Sequence, residues 1–193
     1  MFEKYNKLVI LDTETTGLNK DTNEIIEFAA LVMTKRRNGK FETAKEIDFF
    51  IQNEEPIPEF ITNLTHITNE MCKEGYSKER TVQEFRDLFD TDEKTLVIIY
   101  NTPFDMGFIK SFMNKYSDGF INRLDTLDLL EVAKARTGRM KGNKLCDMIV
   151  RYSIEDEENS HRAIDDVKAT LAVMRAMYKE KKDIEKYIRC KNW

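Results

Sequence analysis

The stretch "KLVILDTETTGLN" sets the first constraint. Four consecutive apolar residues, Leu8 to Leu11, end abruptly on Asp12 and Glu14, two like charges with one residue between them. The apolar part reads as a buried strand whose far end opens to solvent. Side chains two apart on a strand point to one face, so Asp12 and Glu14 project together with Cα atoms about 7 Å apart. Two carboxylates that close repel unless a cation or a proton lies between them. A bare pair of this kind is most often two solvated surface acids. This one closes a buried strand and runs into "TTGL", where Gly17 lets the backbone turn tightly and bring amides near whatever the carboxylates hold.

The residues that follow predict an antiparallel meander. "EIIEFAALVMT" leads into "KRRNGK", whose Asn38-Gly39 pair predicts a type I′ hairpin, and "KFETAKEIDFFIQ" supplies the returning strand. "PIPEFITNLTHITNEM" has two prolines and reads as a loop with short helical turns. Helical spacing covers 81–89, 104–116 and 163–178, the last with Ala163, Ile164, Val167, Leu171, Met174, Met177 and Tyr178 on one stripe. "TLVIIY" is a short buried strand, "LDTLDLLEVAKAR" a strand end passing into a helix, and "NKLCDMIVRYSI" a further helix. Three antiparallel strands followed by strands alternating with helices define an α/β domain with a mixed sheet. Sites in such sheets lie at the carboxyl ends of strands.

At 193 residues and 41% hydrophobic content, a single domain is expected. Charged residues make up 34%, and no apolar run approaches the roughly 18 residues that span a bilayer, so no membrane is expected. "MFEKYNK" lacks the basic and then apolar pattern of a secretion signal. Cys72, Cys146 and Cys190 are far apart and in no CxxC arrangement, which argues against a disulfide framework or a zinc site and for a reducing, cytoplasmic setting. The net charge of -4 gives no electrostatic sign of a nucleic-acid partner.

A third acid, Asp105 in "YNTPFDMGF", begins a helix directly after the buried strand at 95–100. On its own it is a helix-start acid favoured by the macrodipole, yet it lies at the same end of the sheet as the first two. In "SHRAIDDVKATL", His161 and Asp166 are five apart and cannot share a helical face. They converge if His161 sits in the loop before the helix, with Ser160 as its N-cap and Asp166 in its second turn; Asp165 then faces solvent.

Four acids and one histidine in this order resemble the DEDDh (DnaQ-like) family of 3′-to-5′ exonucleases, which includes the proofreading epsilon subunit of bacterial replicative polymerases. The blocks are "LDTETTGL", "NTPFD" and "HRAIDD", and the likeness covers about residues 6 to 178. It implies a ribonuclease H-like α/β fold with a mixed five-stranded sheet, three antiparallel N-terminal strands and flanking helices. Residues 1–180 would be the exonuclease domain and 181–193 a basic, helical tail. It also implies that Asp12, Glu14, Asp105 and Asp166 ligate two divalent cations, Mg2+ or Mn2+, with His161 as general base. Hard oxygen ligands suit those ions, and an imidazole with a pKa near 6.5 suits the proton transfer.

Around the metals, the family implies that the Thr15 backbone holds the terminal 3′-hydroxyl beside Gly17, and that Leu18 wedges the last bases. Phe104 packs under the terminal nucleotide or in the core, and Asn101 touches the sugar or serves its own loop. Thr65 and His66 fall in the loop that lines the nucleotide pocket. Two departures stand out: His66 where relatives often carry glycine, and Tyr100 where many carry histidine. Lys134, Arg136, Arg139, Lys141 and Lys144 follow substrate phosphates or form a solvated loop. The expected partner is nucleic acid with a free 3′ end, single-stranded DNA first and RNA second, with any polymerase a separate chain. A catalytically silent polymerase adaptor is the non-enzyme alternative.

Overall fold

The computed structural model describes residues 1–89, 94–119, 123–138, 142–154 and 162–193. Strand β1 (Lys7–Thr15) lies at the centre of a six-stranded sheet. On one side it pairs antiparallel with β2 (Ile25–Lys35), which pairs antiparallel with β3 (Phe41–Phe50). On the other side β4 (Thr95–Ile99) runs parallel to β1, and β5 (Arg123–Asp128) parallel to β4. The order is β3-β2-β1-β4-β5-β6.

The sixth strand, β6 (Ile188–Asn192), comes from the tail and pairs antiparallel with β5. The expected helical tail is therefore a single 3₁₀ turn, Ile184–Tyr187, followed by a strand, and the sheet has six strands rather than five. Two physical demands decide this. The outer edge of β5 carries N–H and C=O groups that need partners, and Ile184 is fully buried, which anchors the turn that feeds the strand. Arg136 reinforces the anchor by pairing with Asp183 at 2.7 Å, and it is 9% exposed, so it is a tether to the tail rather than a member of a phosphate-tracking run. Arg139 and Lys141 lie outside the described residues.

The β2–β3 hairpin also departs from expectation. Gly39 has φ +79° but Asn38 does not have positive φ, so the turn is not type I′. Gly39 N–H instead donates to the Arg36 carbonyl, and the Asn38 side chain accepts from Lys40 N–H, which closes a three-residue loop ending on a left-handed glycine.

Helices cover both faces. Alternation along β1 sends Leu8 and Ile10 into a cluster with Val167, Leu171 and Met174 of α7 (Ala163–Glu180), which also takes in α5 (Leu129–Thr137) and α6 (Leu145–Arg151). Val9 and Leu11 enter the opposite cluster, built with Phe85 of α3 (Lys78–Phe89) and Met106 and Phe112 of α4 (Thr102–Tyr116). A smaller cluster under α1 (Glu59–Thr65) and α2 (Asn69–Lys73) packs on Ile26. Among the described residues, no helix is long and apolar enough to cross a membrane.

Phe85 is fully buried and meets Phe28, Phe89 and Phe112 edge-on or tilted at centroid distances of 4.9 to 6.3 Å. Phe85→Ala is expected to lower unfolding free energy by about 3–5 kcal/mol, read as a shift in the urea midpoint at constant slope. A loss below about 1 kcal/mol would show that this aromatic cluster is not what holds α3 against the sheet.

Candidate active site

The acidic residues gather where β1 ends. Asp12 and Glu14 lie on the α7 face of the sheet, and Asp166 reaches them from the first turn of α7. One carboxylate oxygen from each of Asp12, Glu14 and Asp166 lies within 4.8 Å of the others. Helix α7 begins at Ala163 with Arg162 as its N-cap, so Asp166 sits in its first turn rather than its second; Ser160, the expected cap, lies outside the described residues. Asp165 is half-buried and engaged rather than solvated. His161 lies outside the described residues.

Asp105 arrives from the other face, at the start of α4. Strand β1 pairs with β4 only over Lys7–Ile10 and then outruns it, leaving edge amides without a β partner. Asp105 Oδ1 fills that gap, accepting from Thr13 N–H at 3.1 Å and Thr13 Oγ1 at 2.7 Å. Asp105 is therefore next to the triad but outside its tight oxygen cluster, fixed by Thr13 and 2% exposed.

Burial raises every one of these carboxylates, and neighbouring like charges add to it. Burial pushes Asp12 well above the usual carboxylate range, and the charges of Asp105, Asp166 and Glu14 add to it. Glu14 is pushed up to about 8 by burial and then by Asp166 and Glu27. Asp166 rises to about 7 through burial and then Asp165 and Glu27. Asp105 rises to about 7 through burial, opposed by its bonds to Thr13. The site fits a divalent cation on two counts. All donors are hard oxygens, and Asp166 Oδ1 is buried with no hydrogen-bond partner.

The remaining sequence-predicted residues divide. Thr15 is buried and its hydroxyl donates to the Gly17 carbonyl at 2.7 Å. Gly17 has ordinary φ, and its need for glycine is a close approach instead: an added Cβ would come within 2.6 Å of the Asn23 side chain. That side chain cannot simply retreat, because its Oδ1 accepts from Asn19 N–H. Leu18 projects from this loop at 87% exposure, free of any core. Thr65 is 1% exposed and uses its hydroxyl within its own turn, donating to Ile61 O and accepting from Ile67 N–H. His66 is exposed and caps α1 at φ +59°, the left-handed geometry that favours glycine. Asn101, at φ +81°, gives its N–H to Asp128 Oδ1 and leaves its side chain uncapped. Phe104 is half-buried against Phe108, 4.9 Å between centroids. Tyr100 donates its hydroxyl to the Asn143 carbonyl.

Sequence reasoning missed two acids. Asp128 joins the loop after β4 to α5 by accepting from both Asn101 and Leu130 amides. Glu27, fully buried, stands opposite Glu14 in the β1–β2 register. Its signal was present as the lone charge inside the apolar run "IIEFAAL".

The chain that builds this strand-end carboxylate cluster on a mixed sheet flanked by helices matches the exonuclease family RNase_T over residues 9–174, which places it among the nucleases. The chain belongs to that family. Its relatives include the PolC-type DNA polymerase III of Latilactobacillus sakei, 36% identical over 174 residues covering 89% of this chain. The corresponding polymerase of Staphylococcus aureus strain RF122 is 32% identical over 178 residues, covering 91% of it. The chain spans only 11% and 12% of those proteins' lengths. Two solved structures share the fold. E. coli Exonuclease I in complex with a dA16 oligonucleotide has a TM-score of 0.77 at 20% identity, over 94% of this chain and 42% of that one. The nuclease domain of 3'hExo, a DEDDh family member, bound to rAMP, has 0.71 at 16%, over 97% and 96%.

Because the folded carboxylates hold protons up to about pH 7 or 8 and unfolded ones only to about pH 4, the folded state binds more protons across that window. Stability of metal-free protein therefore falls as pH rises from about 4 to about 8. A cation requires the ionised forms, so saturating Mn2+ is expected to raise the melting temperature more at pH 8 than at pH 5. An equal increment at both pH values in a thermal-shift assay would contradict this electrostatic account. Asp12→Asn removes one of the crowded charges. It is expected to melt a few degrees higher than the parent without metal at pH 8, a shift worth about 1 kcal/mol, and to lose the Mn2+ increment; a lower metal-free melting temperature would count against like-charge strain.

Proposed function

We propose that this chain is a 3′-to-5′ exonuclease that releases 5′-mononucleotides from DNA by metal-assisted phosphodiester hydrolysis, in a proofreading or repair role. The observation that carries the reading is the convergence of Asp12, Glu14 and Asp166 oxygens within 4.8 Å at a strand end, with Asp105 adjoining. Asp12, Glu14, Asp105 and Asp166 would hold the cations, Mg2+ or Mn2+. When bound, a pair of such ions stabilises the charge on attacking and departing oxygens.

The chain's own residues supply the rest. His161 takes the proton of the attacking water, a transfer worth typically 10²–10⁴-fold in rate. The rigid 15–18 segment presents backbone to the terminal sugar and exposed Leu18 to the last bases. DNA is favoured by the resemblance to replicative polymerases, which also supports a polymerase-associated setting in the cytoplasm. Exonuclease I has been solved with dA16 and dT13 oligonucleotides, which supports single-stranded DNA as the first substrate to test. A neighbouring 3′-exonuclease recognises a histone mRNA stem-loop, so RNA is the competing substrate.

The test uses 5′-labelled single-stranded DNA and RNA of one sequence, with Mg2+, Mn2+ or chelator. Stepwise shortening of DNA from its 3′ end, dependent on metal and reduced at least about 10³-fold by Asp12→Ala, is expected. Faster shortening of RNA moves the substrate assignment, and inertness on both with metal present defeats the enzyme reading.

A further inference from the structure

We infer that Glu27, paired with Arg162, is a positioning residue that sets where Asp166 stands in the carboxylate cluster; this rests on the metal-dependent reading above. Glu27 lies on β2 directly across from Glu14 with its carboxylate fully buried. Like charges placed directly opposite on paired strands destabilise each other, so a Glu here is disfavoured unless something holds it. Both of its oxygens are held. Oε1 accepts from Arg162 Nε at 2.9 Å and Nη2 at 2.6 Å, and Oε2 accepts from Ala163 N–H at 3.0 Å.

The second bond is the informative one. Ala163 is the first residue of α7, and the N-cap residue Arg162 makes no side-chain capping bond of its own. Glu27 therefore does from β2 what an N-cap side chain ordinarily does from within the helix, satisfying an orphan amide at the positive end of the dipole. Asp166 lies three residues further along, in the same first turn of the helix. A carboxylate on the strand next to the one carrying Asp12 and Glu14 thus fixes the helix start that carries Asp166. Arg162, stacked over the Phe50 ring at 5.0 Å, neutralises that carboxylate without contributing a ligand to the cluster. Arg162 is also the residue bonded to His161 in the chain. Asp48 on β3, opposite Ala29 and hydrogen-bonded through its side chain to Glu27, and the Lys168–Glu46 pair add to the charged surroundings on this side. Partners of this kind behind a metal ligand change metal affinity or activity by about 10- to 100-fold when removed.

The experiment compares the parent chain with Glu27→Gln, Arg162→Lys and, as a control for loss of an exposed ion pair, Glu42→Gln, whose partner is Arg36. Metal-free protein is titrated with Mn2+ by calorimetry, melting is followed in parallel, and kcat and KM are measured on single-stranded DNA. Glu27→Gln is expected to weaken Mn2+ binding and lower kcat by about 10- to 100-fold with KM changed less than twofold, while remaining folded at the assay temperature. Arg162→Lys should shift the same quantities in the same direction by less, and Glu42→Gln should match the parent. Parental Mn2+ affinity and kcat in Glu27→Gln overturn the inference. If that variant does not fold, Arg162→Lys decides, and parental values there overturn it. A parent chain that binds no Mn2+ sinks the metal reading itself, a result distinct from equal binding by parent and variant.

Discussion

Crowded negative charge at one end of a central strand governs this structure. Asp12, Glu14 and Asp166 bring oxygens within 4.8 Å of one another, with Asp105 one hydrogen bond away at Thr13. Left to themselves such groups would separate or take up protons, and burial, with like charges adding to it, raises their pKa values. Separation is prevented further down the same strand. Leu8 to Leu11 are at most 1% exposed and feed apolar clusters on both faces of the sheet. The strand cannot move without breaking two cores, so the acids at its end stay together. A site that destabilises its own fold and is offset by packing elsewhere is the expected signature of function rather than of stability.

The two faces of the sheet solve different parts of the problem. Helix α7 packs along β1 and β2 and delivers Asp166 to the face that Asp12 and Glu14 share. Helix α4 packs on the opposite face, and an acid from there meets the cluster only past the end of β4. The shortness of β4 is thus a requirement: had its pairing continued beyond Ile10, the Thr13 amide that anchors Asp105 would have been taken by the ladder. Strand lengths, as much as helix placement, determine which carboxylates meet.

Much of this is legible in local pattern. The alternation of β1, the buried runs of β2 and β4 and the stripe on α7 each carry their own period, and Asp12 with Glu14 follows from the pleat alone. What resists reading depends on partners distant in the chain. The tail's charged residues suggest a helix until the open edge of β5 claims Ile188–Asn192 as a strand. Asn38-Gly39 suggests one hairpin turn, and the Asn38 side chain, by bonding Lys40 N–H, supports another. Thr65 sits in a stretch resembling a nucleotide pocket, and only the fold shows its hydroxyl engaged by Ile61 and Ile67. Glu27 is the sharpest case, since a single charge in an apolar run acquires meaning only when Arg162 and Ala163, over a hundred residues away, close on it.

The loop that leaves β1 extends the same economy to the solvent side. Thr16 N–H bonds the Glu24 carbonyl, Glu24 N–H bonds Thr16 Oγ1, and Asn23 accepts from Asn19, so the segment is closed on itself. Glu24 then ties it outward, pairing with Lys78 at 3.1 Å and accepting from Glu54 N–H at 2.8 Å. Within so constrained a loop, an 87% exposed leucine is not a side chain that failed to find the core. It is displayed to water from a hydrogen-bonded loop, and an apolar group displayed in that way gains only when another apolar surface covers it. The faces of unstacked bases are such a surface, and Leu18 stands four residues past the Glu14 carboxylate where the proposed reaction would place a strand's last nucleotides.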